Sequence, residues 1–268
     1  MFFWYFIRIF VVQNITINME LIVGSTALKH HFPDFNRVPK DLDIMVPDAS
    51  IYKSSPEVEY LENPLIFNHV KEGQKYIDPD LLLTLKMSHL FFDIRWDKHM
   101  WDVQFLLEQG CKYDINIMMG QFEYWAGFQK RYKRSDLEMT KEKFFTNAVN
   151  YDEHEHDYLH TLITPTPAYQ KILVDGEDVE ISEDKFNALS FEEQLDVVRE
   201  EVYVMAYERY KDKHFLVAYS KMLKKFIRQH APVWMFPFVV ENYIKLSRAK
   251  IDFITQIQKQ LDYEPTRH

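Results

Sequence analysis

The stretch that decides the fold is Leu21–Val46, which reads LIVGSTALKHHFPDFNRVPKDLDIMV. Its last apolar run carries two acidic residues, Asp41 and Asp43, that are separated by a single leucine. Because side chains alternate between the two faces of a β-strand, a strand over residues 41–45 would project both carboxylates from one face. Neighbouring carboxylates repel each other, and a shared divalent cation that prefers oxygen ligands, such as Mg²⁺, removes the repulsion. The pattern therefore predicts a strand that binds a metal ion.

The beginning of the same stretch predicts a site for phosphate. We expect strands over Leu21–Gly24 and Leu42–Val46 and a helix over Thr26–His31, with Gly24 and Ser25 at the turn between the first strand and the helix. Glycine lets the backbone approach a ligand closely, and the N–H groups at a helix N-terminus attract anions. Together with the acidic pair, this turn predicts a place for a metal–triphosphate. The alternative interpretation is a surface hairpin whose charged edge resists pairing with other chains.

These two motifs, in this order, resemble the pattern of the DNA polymerase β-like nucleotidyltransferases. That pattern is an apolar residue with Gly-[Gly/Ser], a helix, and then Asp-apolar-[Asp/Glu]-apolar. It falls here on Val23-Gly24-Ser25 and Asp41-Leu42-Asp43-Ile44. The run Arg37–Asp43 is also similar to the Arg-Pro-Asp-x-Asp segment of the tRNA CCA-adding branch. The wider chain resembles minimal, phage-type nucleotidyltransferases, and the likeness covers about the first half of the sequence.

The resemblance implies an α+β protein with a small mixed β-sheet core and flanking helices, and the helical periodicity beyond it predicts a C-terminal helical bundle. We expect residues 1–18 to be an N-terminal extension, with an extra edge strand or a partner-binding arm as the alternative. Residues 19–161 would form the nucleotidyltransferase-like domain. Residues 162–189 would form a linker or hairpin, and residues 190–268 a helical domain.

The family also places a third carboxylate on a strand beside the acidic pair. The run Glu57–Glu62 partly alternates like a strand, so that Glu57, Glu59 and Glu62 are the candidates. Glu59 is favoured because it lies in the middle of the run, between Val58 and Tyr60.

The activity implied by the resemblance is transfer of a nucleoside monophosphate from a nucleoside triphosphate to an acceptor, with release of pyrophosphate and with Mg²⁺ or Mn²⁺ as cofactor. The acceptor is left open among an RNA end, a protein and a small molecule. Catalysis and metal binding are assigned to Asp41, Asp43 and Glu59. Triphosphate binding is assigned to the turn and to nearby cations that offset phosphate charge, namely Gly24, Ser25, Lys29, Arg37 and Lys40.

A second polar cluster, YDEHEHDYLHT at Tyr151–Thr161, is the basis of the first of two alternative functions. Its three histidines could bind a transition metal, as in an HD-like metal phosphohydrolase. The ligands would be His154, His156, Asp157 and His160, completed by His89 or His99 and by Asp196 or Asp212. The other alternative is a non-catalytic protein that binds nucleotide or a partner on a transferase fold.

Several local signals define helices further along the chain. Asp78-Pro79 is an N-cap and first-turn pair, Trp96–Glu108 has helical periodicity with Gly110 as its stop, and Ser190 with Glu193 forms a capping box. Three C-terminal helices are predicted from apolar periodicity, and the third is marked by Phe238, Tyr243, Ile244, Ile251, Ile254 and Leu261.

Composition narrows the class of protein. The net charge of −9 disfavours broad electrostatic capture of nucleic acid. A single cysteine, Cys111, excludes an internal disulfide framework and favours a reducing compartment. The apolar N-terminal run is too short to cross a bilayer. We therefore expect a protein outside the membrane, in the cytoplasm, or in the host cytoplasm if the protein is viral.

Overall fold

The computed structural model describes residues 19–92, 95–132, 182–210 and 215–248 of the 268-residue chain. The chain divides into two compact units. Unit 1 is the chain up to Thr84 together with Lys112–Asp114, and unit 2 is Leu85–Cys111 together with the chain from Ile115 onward. Helix α2 begins in unit 1 and ends in unit 2. No described helix is long and apolar enough to cross a membrane.

The elements confirm a mixed α+β protein with a small sheet and many helices. Up to α2, in chain order, they are β1 (Leu21–Ile22), α1 (Gly24–His31), β2 (Leu42–Val46), β3 (Val58–Glu62), a 3₁₀ turn (Ile66–His69) and α2 (Pro79–Ser88). The others are a 3₁₀ turn (His89–Phe91), α3 (Trp96–Glu108), α4 (Ile115–Tyr132), α5 (Glu183–Asn187), α6 (Phe191–Tyr210), α7 (Phe215–Gln229), α8 (Phe236–Glu241) and α9 (Tyr243–Ser247).

The sheet of unit 1 has the strand order β1-β2-β3. Strands β1 and β2 are antiparallel, whereas β2 and β3 are parallel, so the sheet is mixed as predicted. On the other side of β1, Tyr76 forms a parallel bridge with Ile22. The register of the parallel pair places Asp43 directly opposite Glu59. This register determines which acidic side chains can meet.

The core of unit 1 forms where α1 covers the sheet. The apolar residues that follow the Gly-Ser turn, Ala27 and Leu28, are fully buried, as are Leu21 of β1 and Val46 of β2. Burial of a leucine-sized side chain contributes about 1.5–3 kcal/mol. The apolar residues next to the Gly-Ser turn and those next to the acidic pair therefore anchor both motifs to the same core.

Observed element boundaries differ from the expected ones near the site. Helix α1 begins at Gly24 rather than at Thr26, and β1 is correspondingly shorter. The predicted strand Leu42–Val46 is confirmed, and Asp41 lies one residue before it. The strand predicted within the run Glu57–Glu62 begins at Val58, one residue after Glu57.

The best-predicted part of unit 2 is α3, whose bounds are confirmed at both ends. Gly110 follows it with φ +78°, a left-handed conformation that suits glycine after a helix C-terminus. On the buried side of α3, the Asp102 carboxylate lies 2.7 Å from the ammonium of Lys86, and both side chains are almost completely inaccessible. Asp102 and Lys86 therefore form a buried ion pair within unit 2.

The C-terminal part of unit 2 is built around α6 and α7. The predicted capping box is confirmed, since the Ser190 N–H donates to Glu193 Oε2 (2.8 Å) and the Glu193 N–H donates to Ser190 Oγ (3.4 Å). The buried rings of Tyr203 and Tyr219 lie 4.8 Å apart, and the Tyr219 hydroxyl donates to the carbonyl of Leu246 (2.7 Å). These contacts fasten α9 to the α6–α7 pair.

The third predicted C-terminal helix is wrong in one respect, because two short helices, α8 and α9, meet at Asn242 instead of forming one. The Phe238 carbonyl accepts from the Asn242 backbone N–H (3.1 Å) and also from the Asn242 side-chain amide (2.9 Å), so the side chain adds a bond at the end of α8. The later marker residues Ile251, Ile254 and Leu261 lie outside the described residues. So do residues 1–18, the cluster Tyr151–Thr161 and most of the predicted linker.

Candidate acidic metal site

The structure brings together the three carboxylates that the sequence analysis selected. Asp41, Asp43 and Glu59 each offer one oxygen atom, and these atoms all lie within 4.8 Å of one another. Asp43 and Glu59 meet because they are register partners on β2 and β3, and Asp41 joins them from the residue position just before β2. In the described part of the chain this is the single group of three or more acidic, histidine or cysteine side chains so arranged.

The other two acidic candidates of the run Glu57–Glu62 lie in different surroundings. Glu57 precedes β3, and its carboxylate accepts a hydrogen bond from Ser55 Oγ (2.9 Å). Glu62 lies opposite Val46 and, three residues from Glu59, projects from the other face of the strand. The cluster therefore includes Glu59 and neither of its acidic neighbours.

The chemistry of this donor set fits a hard divalent cation. Oxygen ligands bind Mg²⁺ at about 2.1 Å, so opposite ligands of one ion are about 4.2 Å apart. The carboxylate oxygens that the three residues offer lie within 4.8 Å of one another, which is close to that separation. Asp41 and Asp43 are half-buried and Glu59 is exposed. Two charges 4.8 Å apart repel by about 1 kcal/mol in water and by about 3 kcal/mol at an effective dielectric constant of 20, so a cation relieves a real repulsion here.

The Gly-Ser turn lies directly against the acidic strand. Gly24 has φ +67°, and a Cβ built on it would lie 2.1 Å from Asp43 Oδ2. The backbone N–H of Val23 donates to the Asp43 carbonyl (2.9 Å), which fastens the turn to β2. Glycine is required at this position both by its left-handed backbone and by the carboxylate beside it.

The N-terminus of α1 begins at this turn. Its N-cap residue, Val23, makes no side-chain cap, and its first turn contains no acidic residue. The first N–H groups of a helix have no partner within the helix, and the helix dipole makes this end positive. A phosphate brought to the turn would meet backbone donors and a favourable field. Ser25 itself is only 2% exposed, so backbone groups offer more to a ligand than its hydroxyl does.

The predicted phosphate-binding cations lie on the segment between α1 and β2. Lys29 donates from Nζ to the carbonyls of Pro33 (2.5 Å) and Phe35 (2.8 Å), so its ammonium holds this loop in the structure. The Arg37 guanidinium lies over the Phe35 ring, 5.2 Å from its centroid. Lys40 is exposed and directly precedes Asp41 of the acidic cluster in the chain.

One residue at the site, Thr26, was not predicted from the sequence. Its Oγ1 donates to the backbone carbonyl of Asp41 (3.2 Å) and so connects the first turn of α1 to the start of the acidic strand. A threonine next to a Gly-Ser turn was visible in the sequence. Its acceptor, fifteen residues away, was not.

The histidines considered for a phosphohydrolase form a separate pair in unit 2. The rings of His89 and His99 meet edge to face with centroids 4.7 Å apart, and Trp125 packs on His89 in the same way. Burial, assisted by the charge of Lys86, lowers the pKa of His89 to about 3, and burial also holds the pKa of His99 well below its usual value. Both rings are therefore neutral at physiological pH.

The acidic partners considered for that histidine pair are not brought to it in the described structure. Asp196 accepts a hydrogen bond from Arg199 Nη1 (2.7 Å), and Asp212 lies outside the described residues, as do His154, His156 and His160.

The fold and the site together define an α+β protein with a carboxylate cluster of a composition that suits divalent cations. The chain belongs to the family described as "Domain of unknown function (DUF7275)", whose model matches residues 81–261, more than half of the sequence. No curated protein and no solved structure matches the chain. The matched region begins after β3, so the acidic cluster lies outside it.

Proposed function

We propose that this protein is a metal-dependent nucleotidyltransferase that moves a nucleoside monophosphate from a nucleoside triphosphate to an acceptor hydroxyl and releases pyrophosphate. The observation that carries the proposal is the meeting of Asp41, Asp43 and Glu59 beside the glycine turn at the N-terminus of α1. The resemblance of the Gly-Ser and Asp-x-Asp motifs to those of the DNA polymerase β-like nucleotidyltransferases supports it. In this proposal the mixed sheet and α1 form the small nucleotidyltransferase core.

Each part of the site has a separate task in this chemistry. When bound, Mg²⁺ or Mn²⁺ supplies charge neutralisation of the triphosphate and a lower pKa for the attacking hydroxyl. Asp41 and Asp43 would hold the metal, and Glu59, whose side chain is exposed, would complete the set of ligands. The N–H groups at the start of α1 donate to phosphate oxygens, and Arg37 and Lys40 add positive charge.

The proposal is tested with the wild-type protein and an Asp41→Asn, Asp43→Asn double variant. Each of the four nucleoside triphosphates, labelled at the α-phosphate, is incubated with Mg²⁺ and either total RNA or cell lysate. We expect label to reach an acceptor with the wild type and not with the double variant, because the variant lacks two metal ligands. Its unfolding transition should stay close to that of the wild type, since the substitutions also remove carboxylate repulsion.

A matched pair of variants isolates the third carboxylate. Glu59→Gln should lose most of the transfer activity, whereas Glu57→Gln, two residues earlier and outside the cluster, should keep it. A double Asp variant with full activity would contradict the proposal. So would a wild type that is stabilised by Mg²⁺–triphosphate yet transfers none of the four nucleotides, which would indicate the non-catalytic alternative.

A further inference from the structure

We infer that Thr26 is a positioning residue that holds the main chain of Asp41, so that the Asp41 carboxylate stays within the acidic cluster. This inference rests on the proposed function, because it assumes that the cluster binds the metal. It assigns a task to a residue that lies in neither of the two motifs.

The three carboxylates are not held equally by the backbone. Asp43 and Glu59 lie within β2 and β3, and the Asp43 carbonyl also accepts from the Val23 N–H. Asp41 precedes β2. The pairing of β2 with the segment that contains β3 begins at the next residue, where the Leu42 N–H donates to the Glu57 carbonyl (2.8 Å). The Thr26 hydroxyl reaches the carbonyl of the one metal-site residue that lies outside a strand.

The position of Thr26 gives this bond a second consequence. Thr26 is in the first turn of α1, directly after Gly24 and Ser25, and its side chain is restricted at χ1 by β-branching. Its hydroxyl donates to a residue fifteen positions away rather than to its own helix, so the bond does not serve helix formation. It connects the phosphate-binding turn to a metal ligand, and it keeps the two at a constant separation.

The test measures Mn²⁺ binding by the nucleotide-free protein with isothermal titration calorimetry. Thr26→Val keeps the shape and removes the hydroxyl, and we expect Mn²⁺ affinity to fall by about five- to tenfold, the equivalent of one hydrogen bond. Thr26→Ser retains the donor and should bind within about twofold of the wild type. A rescue by serine is not expected if the threonine only fills space.

A second threonine of unit 1 offers a matched control. Thr84 Oγ1 also donates to a backbone carbonyl, that of Asp80 (2.9 Å), and accepts from the Asp114 N–H (3.0 Å). Thr84→Val should lower the melting temperature without a change in Mn²⁺ affinity. This control separates loss of a partly buried hydroxyl bond from loss of metal positioning.

The outcomes distinguish the inference from the function on which it rests. If the wild type binds Mn²⁺ and the Thr26→Val variant binds it equally well, the inference alone is overturned. If the Asp41→Asn, Asp43→Asn double variant binds Mn²⁺ as tightly as the wild type, both the inference and the proposed function are overturned. If Thr26→Val does not fold, Thr26→Cys, with a weaker donor, is compared with Thr26→Ser. Equal affinities would then refute the inference, and weaker binding by the cysteine variant would support it.

Discussion

Substitution of Gly24 by alanine tests the close approach between the turn and the acidic strand. The new Cβ would lie 2.1 Å from Asp43 Oδ2, 3.0 Å from its Cγ and 3.2 Å from its Cβ. Rotation of the carboxylate would relieve the first of these contacts, but it would move the Asp43 carboxylate out of the acidic cluster. The left-handed backbone of Gly24 adds about 1–2 kcal/mol of strain for any residue with a Cβ.

Two quantities are expected to change in Gly24→Ala, and they have separate causes. The free energy of unfolding should fall by about 1–2 kcal/mol, which lowers the melting temperature by about 2–4 °C for each kcal/mol in a chain of this size class. Affinity for Mn²⁺ should fall by at least about tenfold, because even displaced supporting groups reduce metal affinity by that factor. Thermal unfolding with EDTA measures the first quantity, and calorimetric titration with Mn²⁺ measures the second.

Gly73→Ala is the matched control for this experiment. Gly73 lies in the same unit with φ +76°, and a Cβ on it would have no atom within 4 Å. It should show the same backbone penalty and no change in Mn²⁺ affinity. If the two alanine variants bind Mn²⁺ equally well, Asp43 is not a metal ligand held against the turn, and the argument for the site fails.

Three further predictions follow from the same structure. Mg²⁺ at ten times its dissociation constant should stabilise the wild type by about 1.4 kcal/mol and the double Asp variant not at all, as read by thermal unfolding in a magnesium series. Lys86→Met should destabilise unit 2 by about 3–5 kcal/mol in urea unfolding, because Asp102 would be left charged and buried, and Asp102→Leu in the same chain should recover much of the loss. A Lys86→Met variant that is as stable as the wild type would refute that reasoning. The low pKa of His89 means that the unfolded state binds an extra proton between pH 6.5 and about 3. The free energy of unfolding should therefore be unaffected by this group above pH 6.5 and fall below it by up to about 1.4 kcal/mol per pH unit. His89→Gln should flatten that slope in urea unfolding at pH 7, 5.5 and 4, and an unchanged slope would exclude this histidine as its cause.

Local signals predicted many of the elements. The bounds of α3, the strand Leu42–Val46 and the capping box at Ser190 were all readable, because each depends on residues within one or two turns of each other. Glu59 was selected because it lies in the middle of the run Glu57–Glu62, and the parallel register then placed it opposite Asp43.

Prediction failed at the third C-terminal helix, which divides at Asn242 into α8 and α9. The apolar periodicity that predicted this helix continues across Asn242 and gives no sign of the break. The role of Lys29 beside phosphate stays a prediction, and the structure adds that its ammonium donates to two loop carbonyls. The sequence does not show these acceptors, because they come within reach of the ammonium only once the loop is folded.

The sequence by itself determined the order of the motifs, the strand that carries Asp43 and the helix that begins at the turn, since all of these follow from periodicity and from the conformational freedom of glycine. Only the tertiary structure decided that Gly24 lies against the Asp43 carboxylate, that Thr26 holds the Asp41 carbonyl, and that Lys86 is neutralised by Asp102. The physical reason is that short-range conformational preferences act along the chain, whereas steric contact, hydrogen bonding and charge pairing act through space between residues fifteen or more positions apart.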